Sequence, residues 1–171
     1  MQTRLAVAVL ALAIPGTAVA QGLEAVTPLY EMSRTWLVKS AEMMPDAEWN
    51  FKPTPAVRSF GEIIGHVADA NYMFCSFALG EKSPATGSFE KAGRAAQIQA
   101  LKDAFAYCDK AHKIAPARLG DQVELPFGGL KGNKLWVLTF NTSHNWEHYG
   151  NLATYFRLKN MVPPSSQGGG M

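Results

Sequence analysis

SFGEIIGHVADANYMFCSFALG, residues 59 to 80, has the clearest start and stop in the chain, and its reading decides the class of fold. Ser59-Phe60-Gly61-Glu62 has the S-x-x-E order of a capping box, in which a hydroxyl and a carboxylate each satisfy a backbone N–H that the first helical turn leaves without a partner. Phe60, Ile63, Ile64, Val67, Phe74 and Phe77 then recur at helical spacing as one apolar face, and Gly80 suits the left-handed conformation in which helices stop. His66 falls on an adjoining stripe with Glu62, Asp69 and Met73, so ligand-type side chains run beside the core face.

Working outward, three more helical segments emerge. The first is expected from about Pro28 to Met43, with Thr27 as cap and Pro28 at the first helical position, and Pro45 ends it. Trp49, Phe51, Pro53 and Pro55 then form an extended connection whose aromatics lie over the helices. A loop over 81 to 89 leads to a third helix from about Ala92 to Ile114, closed by Pro116. Residues 117 to 133 hold a short hairpin at most, given Pro126, Gly128 and Gly129; their length would let the third and fourth helices run parallel as neighbours. The fourth helix is expected over 134 to 159. The class is therefore all-α, a four-helix bundle with long crossover connections.

The fourth helix contains His144-Asn145-Trp146-Glu147-His148. Residues four apart lie one above the other on a helical face, so both imidazoles can point at one ion. The chain has four histidines in all; His66 supplies a third ligand, while His112, near a helix C-terminus beside Lys110 and Lys113, reads as a surface imidazole and is excluded. Three neutral nitrogens suit a divalent transition metal, Zn, Ni or Fe, with a position left open. The same five residues fit the H-x-x-E-H pattern of inverted zinc proteases, but those enzymes need a further carboxylate downstream, and no Asp or Glu follows Tyr149. Asn141 and Asn151, one turn outside the histidine pair, read either as orienters of the ligands or as hydrogen-bonders between helices. Asp69 and Glu147 are the weak candidates for a catalytic carboxylate, Glu147 standing 100° around the helix from His148.

At the ends, Arg4, the apolar run Leu5 to Ile14, Pro15-Gly16 and Ala18-Val19-Ala20 have the order of a secretory signal peptide over 1 to 20. The bundle domain is expected over 21 to 162 and a flexible tail over 163 to 171. The protein is thus expected to be exported, periplasmic or extracellular, with no stable membrane insertion after signal removal. A net charge of +2 without a basic block excludes nucleic acid as a partner. Cys75 and Cys108 sit in separate helices, where they can pair or be small buried residues.

Trp49 with Pro53 and Pro55, Ser59 opening the helix of His66, and His144-x-x-x-His148 running on through Tyr149, Gly150, Asn151, Leu152, Tyr155, Arg157 and Pro163-Pro164 together resemble the DinB/YfiT-like superfamily of bundle metalloproteins. The resemblance implies a metal held by His66, His144 and His148 with open positions for water. It also implies a small-molecule substrate, since members with assigned chemistry include transferases and isomerases that use low-molecular-weight thiols. Export sets this chain apart, because reduced thiols are scarce in an oxidising compartment. The expected function is an exported metal-dependent enzyme of hydrolase or thiol-dependent transferase type, with association as a homodimer allowed. The alternative is a non-catalytic metal- or ligand-binding bundle.

Overall fold

The computed structural model describes residues 16 to 168. Most of the expected signal peptide lies outside the described residues, as does the end of the tail, 169 to 171. Four helices form the fold: α1, Gly16–Met43; α2, Phe60–Leu79; α3, Arg94–Ala111; and α4, Lys134–Leu158. A single antiparallel hairpin of β1, Gln122–Glu124, and β2, Lys131–Asn133, is the only sheet among the described residues. The fold is all-α.

Capping chemistry sets the ends of α2 as the sequence indicates. Ser59 Oγ accepts from Glu62 N, the Glu62 carboxylate accepts from Ser59 N, and Gly80 closes the helix at φ 76°. Asn133 Oδ1 accepts from Trp136 N at 2.8 Å and starts α4. The start of α1 differs from expectation: the helix begins well before Pro28 and carries it in its interior. A proline there leaves the Glu24 carbonyl without its helical donor and costs an isolated helix about 3 kcal/mol. Packing on both sides of the proline outweighs that cost, with Leu23 and Tyr30 both in the core.

Contacts between helices give their directions. Phe60 meets Phe156 and Phe74 meets Phe140, so α2 and α4 are antiparallel neighbours. Tyr30 meets Asp109 and Glu42 meets Lys102, so α1 and α3 are antiparallel as well. Gln97 lies beside Gly61 and Cys108 beside Cys75, which makes α2 and α3 parallel. The connection long enough to let α3 and α4 run parallel holds the short hairpin that the sequence allowed, but those two helices are antiparallel across the diagonal of the bundle. The crossover that creates parallel neighbours is the 80–93 segment. It runs back along α2, where Asp69 accepts from Ser88 Oγ and Phe89 N. Gly65 permits this approach, since a Cβ there would overlap the Phe89 carbonyl.

Cys75 and Cys108 form a disulfide between α2 and α3, with Cα atoms 5.2 Å apart. The expected flexible tail is seated on the bundle through Gln167. Pro163 and Pro164 are buried, Ser165 N donates to Tyr149 Oη at 2.8 Å, and Arg157 donates to Ser166 Oγ. Two proline rings with an apolar surface to cover, and a tyrosine oxygen to accept from the backbone, are enough to order the segment.

His112 also departs from expectation. The ring is 9% exposed, stacked on Tyr30 at 3.9 Å between centroids, with Nδ1 3.1 Å from Thr27 Oγ1. The early start of α1 brings Leu23 and Thr27 over it. Burial pushes its pKa down to about 4. Between about pH 6.5 and that value the unfolded chain holds a proton on this ring that the folded chain does not, so acid favours unfolding and stability rises with pH across the window. His112→Phe keeps the stack and removes the proton. In urea melts between pH 6 and 4.5, the variant is expected to show a pH slope of the unfolding free energy smaller than the parent's by about 1 kcal/mol per pH unit. Equal slopes would mean that the ring titrates as freely in the folded chain as in the unfolded one.

Candidate metal centre

Antiparallel packing of α2 against α4 brings the three chosen histidines together. His144 Nε2 lies 3.2 Å from His66 Nε2 and 3.1 Å from His148 Nε2, and one ligand atom from each ring falls within 4.8 Å of the others. An ion about 2.0–2.1 Å from each of two nitrogens separates them by ~2.8–3.4 Å for right-angle to tetrahedral coordination, and both separations from His144 fall in that range. The donor set also fits chemically. His66 Nδ1 stands 3.8 Å from Glu90 Oε2, and His148 Nδ1 stands 3.5 Å from the Asn151 amide, whose oxygen can accept there once the amide is turned. Each partner favours a proton on Nδ1, which leaves the Nε2 lone pair facing the point of convergence. His144 Nδ1 is buried without a partner.

All three rings are held in the neutral form. Burial lowers the pKa of His144 to about 4 and of His148 to about 3, and the neighbouring histidines and Arg58 act in the same direction. His66 is lowered mainly by burial and then by Arg58, against Glu90, Asp69 and Glu147. Ligation needs the unprotonated ring, so at neutral pH no proton has to leave before binding.

His148 also lines a cavity of about 580 Å³, together with Arg58, Glu90, Glu147, Asn151 and Tyr155. Of the two carboxylates singled out in the sequence, Glu147 is exposed and faces this cavity, whereas Asp69 is engaged in holding the 80–93 segment. Glu90 and Arg58 join the site from the connections. Neither lies on a stripe that periodicity can mark, and only their charge sets them apart.

Asn141 is not an orienter of the ligands. Its Nδ2 donates to Asn71 Oδ1 at 3.0 Å, and Asn71 and Asn145 exchange both amide hydrogen bonds, at 2.9 and 3.2 Å. This fully buried cluster ties α2 to α4 beside the histidines. A polar Asn71 on the face of Ile64 and Val67 is the signal in the sequence that could have exposed it.

The sequence profile of the DinB superfamily matches residues 29–152, which make up more than half of the chain and hold all three histidines. The chain belongs to the DinB superfamily. A DinB-like protein from Bacillus cereus ATCC 10987 shares the fold with a TM-score of 0.69 at 13% identity, over 82% of this chain and 95% of that one. A mycothiol-dependent maleylpyruvate isomerase does so with a TM-score of 0.60 at 15% identity, over 78% of this chain. A point mutant of that isomerase gives 0.63 at 14% identity. The DinB chain spans about 65% of the isomerase's length. No curated protein matches it in sequence. Among the described residues of this DinB chain, no helix is long and apolar enough to cross a membrane.

Removing Asn71 tests what holds the site together. Asn71→Leu leaves the amides of Asn141 and Asn145 buried without their partner, and is expected to cost on the order of 3 kcal/mol in urea unfolding. Asn151→Ala, on the exposed side of α4, is expected to cost less than about 0.5 kcal/mol. Equal costs for the two would mean that the amide cluster does not hold the helix pair.

Proposed function

We propose that this DinB protein is an exported metal-dependent enzyme in which His66, His144 and His148 hold one divalent ion, Zn, Ni or Fe, beside a cavity for a small-molecule substrate. The observation that carries the reading is the convergence of three Nε2 atoms from two helices, with each ring held neutral. Bound there, the ion would supply Lewis-acid polarisation and activation of water.

The chain's own residues supply the rest. Glu90 and Asn151 turn His66 and His148 toward the point of convergence from behind. Glu147, on the cavity wall next to His148, is the carboxylate placed to take or return a proton. Val57, Ile63 and Pro55 form apolar parts of the wall and keep water from that side of a bound molecule.

Export is supported by the order of charges and apolar residues over 1 to 20 and by the Cys75–Cys108 disulfide, a linkage that persists in oxidising compartments. The same point favours hydrolysis over a thiol-dependent transfer, even though a fold relative is mycothiol-dependent.

Elemental analysis of untagged protein is expected to find about one divalent ion per chain. Alanine at His66, His144 or His148 should weaken binding by more than about 100-fold, while His112→Ala should leave stoichiometry unchanged. A protein that takes up no metal, or a His66→Ala variant that binds as tightly as the parent, would end the reading. Turnover in a broad screen separates an enzyme from a bundle that only sequesters the ion. Mass spectrometry of protein from the native cell envelope is expected to give an N-terminus at Gln21, and an intact Met1 in a cytoplasmic fraction would defeat the export assignment.

A further inference from the structure

One cation at the cavity touches none of the histidines. Arg58 closes the connection between α1 and α2, and its side chain lines the cavity with His148, Asn151 and Glu147. Its backbone is fixed from two sides. Tyr155 Oη donates to the Arg58 carbonyl at 2.8 Å, and the following residue, Ser59, is locked in the capping box with Glu62. The guanidinium itself is held by a single bond, from Nε to Glu90 Oε1 at 3.1 Å. Its two terminal nitrogens make no hydrogen bond among the described residues. Glu90 reaches on to His66 Nδ1 at 3.8 Å, so the guanidinium stands one carboxylate away from the three histidines. The other cation on the wall, Lys52, is already engaged: its Nζ lies 2.7 Å from Glu62 Oε2.

A guanidinium anchored through Nε presents the paired donors that match a carboxylate bidentately, which an ammonium cannot do. Three neutral ligands leave an ion's charge uncompensated, so a molecule in the cavity would meet positive charge at the ion and at Arg58; of the carboxylates on the wall, Glu62 is paired with Lys52 and Glu90 with Arg58 Nε, while Glu147 stands beside His148, and Ile63, Val57 and Pro55 are the apolar part. We propose that Arg58 binds the carboxylate of a small organic acid whose second polar group lies at the histidines. This rests on the metal reading above and names the substrate class for it.

The test uses the full chain loaded with cobalt(II) and a pair of probes differing only in charge, 3-mercaptopropionate and 3-mercaptopropionamide, titrated by visible absorption. The carboxylate is expected to bind about tenfold more tightly than the amide. Arg58→Met should bring the ratio below about threefold with cobalt stoichiometry unchanged, and Arg58→Lys should fall between. Arg118→Met, which removes an exposed charge outside the cavity, should keep the parent ratio. A parent ratio near one, or an Arg58→Met ratio equal to the parent's, overturns the proposal. If inorganic phosphate displaces mercaptopropionate at lower concentration than acetate does, the carboxylate assignment is wrong. Failure to take up cobalt would instead sink the metal reading. The present proposal is then judged on the metal-free chain by amide chemical shifts: cavity shifts with acetate but not acetamide, lost in Arg58→Met, support it, and their absence overturns it.

Discussion

The register of α2 against α4 governs what the histidines can do, and a buried amide pair sets that register. Asn71 and Asn145 each donate to and accept from the other, and Asn141 adds a third bond to the same oxygen. An apolar helix contact tolerates sliding, because one leucine packs nearly as well as another. A reciprocal amide pair does not: moving one helix by a turn, about 5.4 Å, would leave amide groups from both helices buried without partners, at about 1–3 kcal/mol each. His144 directly precedes Asn145, and His66 lies just over one turn before Asn71. Fixing the amides therefore fixes where the imidazoles meet.

The remaining walls of the site come from the two crossover connections, and each is fastened by a polar contact to a helix. Trp49 Nε1 donates to Gln97 Oε1 at 2.7 Å, tying the first connection to α3, and Gln97 Nε2 donates to the carbonyls of Phe89 and Glu90, tying the second to the same point. Gln97 thus links both connections, one of which carries Arg58 and the other Glu90. The disulfide holds α3 to α2 further along. A link between cysteines 33 residues apart in sequence stabilises a small domain by about 2–4 kcal/mol, and here it also keeps α3 in place as the base on which Gln97 stands.

The parts that could be read from the sequence are those determined within one helix. Ser59-Phe60-Gly61-Glu62 and Gly80 bracket α2 through backbone groups only a few residues away, and the spacing of His144 and His148 places them on one face whatever surrounds the helix. His66 joined them as the third histidine inside a helix, and the family's motifs include it as well. Tertiary partners decided the rest. Pro28 reads as a helix start until packing on both sides carries the helix through it. The parallel pairing of α3 with α4 that the sequence left open rested on loop length alone, and loop length does not say which helix a loop returns along. Asp69, Gly65 and Phe89 settle that, and they meet only in the folded chain. Glu90 and Arg58 escaped for the same reason: in a connection, no period relates a side chain to a face.

His112 shows what distinguishes the other three histidines, since all four sit in or at the end of helices and burial lowers the pKa of every one. At His112 the ring is stacked on Tyr30, Nδ1 meets a hydroxyl that can donate or accept, and Nε2 is buried without a partner, with no second imidazole facing it. The three converging Nε2 atoms have no such freedom. Glu90 and a turned Asn151 favour a proton on Nδ1 of His66 and His148; with His144 in the same tautomer, its Nε2 lone pair faces those of both neighbours at about 3 Å with no hydrogen between them. Shifting one ring to its other tautomer places a hydrogen there, but a single hydrogen cannot lie on the line to both neighbours. Protonating a ring is opposed by burial and by Arg58. A divalent cation is the one common species that all three lone pairs can face at once, and the cluster is therefore built for a cation in a way that the fourth histidine is not.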